Sequence, residues 1–254
     1  MNIHLATSLA AAMTAVAALA TATAPAQAMT VQPMVIDLKP AGQGMTQVVR
    51  VTNTATQALP VELKVQELGF DANGVKAINK PSTDLVIYPP QALIQPGQTQ
   101  SFRVQYVGAS PVSSKHYYVT VAQMPVQAPG AHSAIQVLYD FEVLVSVGPQ
   151  QVKPALRVVS AQVGRNDAGQ PAPIITVSND SPAYGYISRG QLRIVERDAA
   201  GKEVFHKVLQ GPEIQQTVGY GLVGSGQTRR MMLPVVLPVE GGTVEAQFTP
   251  EARR

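Results

Sequence analysis

Thirteen residues from Ile135 to Val147, reading I-Q-V-L-Y-D-F-E-V-L-V-S-V, put a β-branched or aromatic side chain at every odd position. Successive side chains of a strand point to opposite faces, so Ile135, Val137, Tyr139, Phe141, Val143, Val145 and Val147 form one unbroken apolar face. The even positions mix Gln136, Asp140, Glu142 and Ser146 with Leu138 and Leu144. The run is about twice the usual strand length. A strand that long and that apolar needs neighbours along its whole length, because an unpaired apolar edge is an aggregation site. Either the chain's own core covers it, or part of it is held ready for another chain.

The N-terminal segment reads as an export signal. An apolar stretch fills Leu5 to Ala22, and Ala26-Gln27-Ala28 is a small-x-small cleavage site. The segment before it carries only His4 and the terminal amine, without Lys or Arg, and no stop-transfer sequence follows. Residues 1–28 are therefore expected to be removed, leaving a mature chain that starts near Met29, is soluble outside the cytoplasm and has no membrane-inserted segment. What remains is enough for two domains of about 100–120 residues. The expected division is 29–149 and 150–254. There is no cysteine, so stability must come from ordinary cores rather than disulfide staples. A net charge of +3, with the cations scattered, is too weak and too dispersed for nucleic acid or an anionic lipid surface.

Strand signals recur at short intervals between clusters of Gly, Pro and Asn. The first series is Met34–Leu38, Gln47–Asn53, Val61–Leu68, Leu85–Tyr88, Thr99–Val107, Tyr117–Gln123 and Ile135–Val147, with turn chemistry at Asp71-Ala72-Asn73-Gly74 and Gln95-Pro96-Gly97. Seven short strands so spaced read as an antiparallel sandwich of immunoglobulin type. A hinge at Gln150–Pro154 precedes a second series: Leu156–Val163, Ile174–Asn179, Tyr184–Glu196, Glu203–Leu209, Gln227–Leu237 and Thr243–Phe248. No segment shows sustained helical periodicity with caps. The expected fold class is all-β, two tandem sandwiches.

The groups an enzyme would need are mostly missing. The four histidines are dispersed, no His-x-x-x-His pair exists, and no serine occupies a G-x-S-x-G elbow. Gly219-Tyr220-Gly221-Leu222-Val223-Gly224 matches G-x-G-x-x-G letter for letter. The dinucleotide fingerprint also requires a preceding strand and a following helix, and a strand-like run follows here instead. A loop leading into a strand is the reading adopted. No catalytic residue, metal site or cofactor is expected.

Several segments are similar to those of periplasmic pilus chaperones, the PapD-like chaperone–usher family. These are Val48-Val49-Arg50-Val51-Thr52-Asn53-Thr54, the stretch from Val86-Ile87-Tyr88-Pro89-Pro90 through Pro96-Gly97 to Phe102-Arg103-Val104, and Tyr117 to Pro125. The long strand falls where that family places the last strand of its first domain, G1. In the second half, Ser178-Asn179-Asp180, Tyr184–Ser188 and Val218–Gly221 look most like the archaic branch.

The resemblance implies two immunoglobulin-like domains in a boomerang, a chaperone for pilus or fimbrial subunits, and an outer-membrane usher as second partner. It implies that G1 is lent to a subunit lacking its own last strand, with Ile135, Val137, Tyr139 and Phe141 as the lent face and Val143, Val145 and Val147 packing at home. Backbone bonds give affinity and alternating side chains give fit in such strand addition. The Ala128-Pro129-Gly130-Ala131 loop would order on capture. Two departures stand out. Met34 and Leu144 occupy the positions where the best-known branch anchors the subunit's terminal carboxylate with Arg and Lys, so Arg103, Lys115 and then Arg50 become the candidate anchors. Gln123 and Gly148 stand where that family carries interdomain charges. The competing reading is an exported adhesive or structural protein that is itself an assembly subunit; Met29-Thr30-Val31-Gln32-Pro33 is too short for the donor arm it would need.

Overall fold

A computed structural model describes residues 29–125 and 137–251. The expected signal segment and the Ala128–Ala131 loop lie outside the described residues. The first sandwich contains β1 (Met29–Gln32), β2 (Val35–Leu38), β3 (Thr46–Asn53), β4 (Leu59–Asp71), β5 (Gly74–Pro81), β6 (Leu85–Tyr88), β7 (Gln91–Ile94), β8 (Thr99–Tyr106), β9 (Lys115–Gln123) and β10 (Asp140–Val147). One sheet runs β1-β3-β8-β6; the other runs β2-β10-β9-β4-β5, with β7 also pairing β4. Pro33 ends β1, since it has no N–H for a ladder, and the chain then crosses to the second sheet as β2. There it pairs parallel with β10, while the other pairings of this sandwich are antiparallel.

Alternation explains the core. Val49, Val51, Phe102, Val104 and Tyr106 from one sheet meet Val61, Val119, Val121, Val143, Val145 and Val147 from the other, all fully buried. Asn53 closes this layer at the end of β3. Its side-chain amide donates to the carbonyls of Gln57 (2.7 Å) and Ile94 (2.8 Å).

The second sandwich contains β11 (Leu156–Arg165), β12 (Pro171–Asn179), β13 (Gly185–Tyr186), β14 (Gly190–Arg197), β15 (Glu203–Leu209), α1 (Gly211–Val218), β16 (Leu222–Val223), β17 (Thr228–Met232) and β18 (Thr243–Pro250). Its sheets are β11-β12-β17 and β15-β14-β18, with β13 and β16 as a separate pair. A second core of Ile175, Val177, Ile187, Leu192, Ile194, Leu209, Ile214, Leu233 and neighbours fills the space between them. Here too an asparagine, Asn179, ends a strand and donates to three carbonyls, those of Ala183, Val223 and Gly224.

Three expectations are corrected. The stretch Tyr184–Glu196 is not one strand, because a 3-10 turn at Ile187–Arg189 separates β13 from β14. The strand expected over Gln227–Leu237 stops at Met232, short of Pro234. A helix, α1, forms where none was expected; it has Pro212 in its first turn and buries Ile214. Only eight residues long and without a side-chain N-cap bond, it offers too little pattern to read. The G-x-G-x-x-G match lies just beyond this helix. Gly221 there has φ 63° and sits so close to Ile187 that a Cβ would come within 2.1 Å of it. The motif is a close-packed turn into β16.

Glu196 is fully buried on β14, in register with Phe205 and Val244, and neither carboxylate oxygen has a hydrogen bond of good geometry among the described residues. Burial raises its pKa, with the Val239 backbone pulling the other way. The fold thus favours the protonated form more than the unfolded chain does, and the stability this gives is lost as pH rises through the folded pKa. Glu196→Met is expected to stabilise the second sandwich by about 1–2 kcal/mol at pH 8 and by much less at pH 4, since an unpaired buried polar group costs about that much. Urea midpoints at the two pH values measure the difference.

Candidate functional site

β10 is fully paired on one flank and half paired on the other. Against β9 the register runs unbroken from Asp140 opposite Ala122 to Val147 opposite Lys115. Against β2 it covers only Leu144–Val147, opposite Val35–Leu38, and ends where the Leu144 N–H donates to the Met34 carbonyl (3.0 Å). The N–H and C=O of alternate residues point to the same side of a strand. Those of Glu142 and Asp140 therefore face the same flank as Leu144's, and no strand among the described residues meets them. Upstream the chain stays extended alongside the end of β9. The Gln123 N–H donates to the Tyr139 carbonyl (3.1 Å), and the Tyr139 N–H donates to Gln123 Oε1 (3.3 Å).

Burial falls steadily along the apolar face. Val147, Val145 and Val143 are 0% exposed, Phe141 is half-buried against the first core, Tyr139 is 41% exposed and Val137 63%. The cause is topological: β2 stops at the Pro33 crossover and β9 stops at Gln123, so no strand among the described residues covers the start of the run. Ile135 lies outside the described residues.

The three cations singled out from sequence do not converge on this edge. Arg50 and Arg103 project from the solvent face of the other sheet, Arg50 opposite Gln32 and Ser101, Arg103 opposite Val48 and Tyr88. Lys115 sits at the far end of β9, seven residues along the ladder from Ala122, or roughly 23 Å at 3.3 Å per residue. It pairs with Asp84 (2.8 Å), which also accepts from the Tyr117 hydroxyl (2.6 Å). Lys115 and then Tyr117 hold the Asp84 carboxyl below its ordinary pKa, and Asp84 in turn raises that of Lys115. Met34 and Leu144 lie next to each other across the last ladder bond, an apolar pair at the point where the edge opens.

A second cluster, not recognised in the sequence, fixes the junction between the sandwiches. Asp37, Ser146 and His116 form one row across β2, β10 and β9 on the outward face of the sheet. Asp37 accepts hydrogen bonds from the Tyr184 hydroxyl (2.7 Å), the Tyr186 hydroxyl (2.8 Å) and the Arg189 guanidinium, all in the second sandwich. Burial first, and then Asp37, push both tyrosine pKa values well above the ordinary range. His116 contacts the Ser146 hydroxyl through Nδ1 (2.8 Å) and is wedged edge-on between Phe70 and Tyr184. The Tyr184 N–H donates to Ser114 Oγ, and the Arg230 N–H donates to the Ala72 carbonyl at the tip of the β4–β5 hairpin (both 2.8 Å). A cleft of about 1350 Å³ opens beside this latch, lined by Asp37, Lys39, Gln151, Tyr186, Arg189 and Glu251 among others. An acidic residue inside the apolar V-I-D-L strand and the Tyr-Gly-Tyr spacing at 184–186 were the available signals. Among the described residues no three His, Asp or Glu come together as metal ligands, and no helix is long and apolar enough to cross a membrane.

Fold and edge together define a two-sandwich scaffold that carries one strand partly free of its own sheet. The model of the pili and flagellar-assembly chaperone, PapD N-terminal domain, matches residues 21–153, more than half of the 254. The chain belongs to this family of pilus-assembly chaperones. No curated protein is significantly similar in sequence. Among solved structures, the class 5 fimbriae chaperone CfaA is similar at 14% identity and TM-score 0.50, covering 87% of this chain and 99% of that one. A chaperone–tip adhesin complex from CFA/I fimbriae biogenesis is similar at the same identity and TM-score, covering 88% and 99%. At that identity the likeness is one of fold, and it extends over both immunoglobulin-like sandwiches.

Proposed function

We propose that this chain is a periplasmic chaperone that captures a pilus subunit by adding β10, and the residues just before it, to the subunit's incomplete sheet. The observation that carries this reading is the coincidence of two boundaries. The flank of β10 loses its strand neighbour at Glu142, and its apolar side chains leave the home core at Phe141. Among the described residues, backbone groups and apolar side chains are thus uncovered over the same few positions, which is what strand addition requires. Burying one apolar side chain contributes about 1.5–3 kcal/mol, so Val137, Tyr139 and part of Phe141 supply a useful share of the holding energy before association costs. The tip adhesin bound in the CFA/I complex suggests the class of client. Export by a cleaved signal and handover at an outer-membrane usher complete the reading.

Co-expression with a pilin or tip-adhesin subunit tests it. The wild-type chain is expected to co-purify the subunit, and Val137→Asp combined with Tyr139→Asp to lose at least tenfold of that capture. Both side chains are already substantially exposed, so the variant monomer should keep its thermal midpoint. Undiminished capture by a folded double variant would refute the assignment of this strand.

A further inference from the structure

The flank of β10 that lacks a neighbour is also marked by charge. Alternation turns Phe141 and Val143 toward the core, and Asp140, Glu142 and Leu144 to the outward face. Asp140 and Glu142 are exposed, and no ion pair or hydrogen bond engages either side chain among the described residues. The ladder extends their rows across the sheet: Glu142 stands opposite Thr120, which stands opposite Lys64, and Asp140 stands opposite Ala122, which stands opposite Glu62. Lys64 is taken by Glu62 at 3.0 Å. Between Glu142 and Lys64 the Thr120 hydroxyl is buried, at 8% residue exposure, and has no hydrogen-bond partner among the described residues. One row further on, the Tyr118 hydroxyl has its pKa raised by burial and then by Glu142. Arg229, whose charge pulls the Tyr118 pKa the other way, donates to the Leu222 carbonyl (2.8 Å).

The same two residues that expose unpaired backbone groups thus each carry an uncompensated negative charge, two positions apart. We infer that the strand which docks on this flank carries Lys or Arg on its outward face, opposite Asp140 and Glu142. This rests on the strand-addition reading and names the chemistry of the partner. Opposite charges placed directly across a pair of strands stabilise it, and like charges oppose it. Two copies of this chain meeting edge to edge would set acid against acid, so the charges also discourage self-pairing of an edge that must stay open.

The test uses the full mature chain and two synthetic strands of alternating pattern. Both carry Val on one face; one carries Lys and the other Glu on the opposite face. The readout is hydrogen exchange at the Asp140 and Glu142 amides. At low salt the Lys strand is expected to protect them with about tenfold higher affinity than the Glu strand, and the gap should close at about 0.5 M salt as screening sets in. Asp140→Lys with Glu142→Lys should reverse the preference; both positions are exposed, and an unchanged thermal midpoint checks the fold. Equal protection by both strands, in both proteins, overturns the charge assignment and leaves strand addition standing, the acids then serving solubility alone. Protection by neither strand overturns the open-edge reading and this inference with it.

Discussion

Replacing His116 by Gln is expected to remove about 2 kcal/mol of the stability that the chain loses between pH 7.5 and pH 5. His116 is buried where the two sandwiches meet, its Nδ1 on Ser146 and its Nε2 without a hydrogen-bond partner among the described residues. Burial lowers its pKa to about 3 from an ordinary 6.5, with Asp37 opposing the shift. Below 6.5 the unfolded chain takes up a proton that the fold refuses. The stabilising effect of a neutral His116 is therefore complete above 6.5 and is lost progressively down to about 3. The slope is about 1.4 kcal/mol per pH unit, so moving from pH 7.5 to pH 5 should cost roughly 2 kcal/mol from this residue alone. The Gln variant, whatever its absolute stability, should lack this part of the slope. Urea unfolding at the two pH values decides it; parallel losses in both proteins would remove His116 as the cause.

Asp37→Ala is expected to uncouple the two sandwiches. One carboxylate serves two buried tyrosine hydroxyls and a half-exposed guanidinium, and its removal leaves both hydroxyls without their charged acceptor. Hydrogen bonds to charged groups contribute about 1.5–3 kcal/mol each, and the exposed arm to Arg189 adds little. A loss of about 3 kcal/mol of attachment should turn a shared calorimetric transition into two, with the Ser114 and Ala72 hydrogen bonds and the His116–Tyr184 ring contact among those left to hold the junction. Asp37→Asn, which keeps an acceptor oxygen, should fall between. A single unshifted transition in the Ala variant would show that the junction is held elsewhere.

The strands that build the cores were legible because their alternation is uninterrupted. β6 and β15 fall on the expected residues, and the last eight residues of the Ile135 run form β10. Two strands paired only to β4, namely β5 and β7, were not. In β5, V-K-A-I-N-K offers few apolar positions, and in β7 four residues are squeezed between prolines; both are stabilised by pairing with β4 rather than by their own pattern. The half-buried state of Phe141 and the exposure of Tyr139 and Val137 were foreseeable only in part. The sequence says that the face is apolar, whereas the length of its neighbours says where cover ends. Least legible was the junction, since Asp37 and its partners lie 147 to 152 residues apart and no local signal links them.

Val143, Val145 and Val147 seal the first core and Phe141 packs half-buried at its margin, while Tyr139 and Val137 lie exposed beyond it. A subunit captured as proposed at Val137 and Tyr139 would open no interior, and its departure would leave only wet side chains and a few solvated amides. Under the proposed reading, client turnover therefore carries no unfolding step for the chaperone, whose thermal midpoint without a client is that of a complete protein ready to be used again.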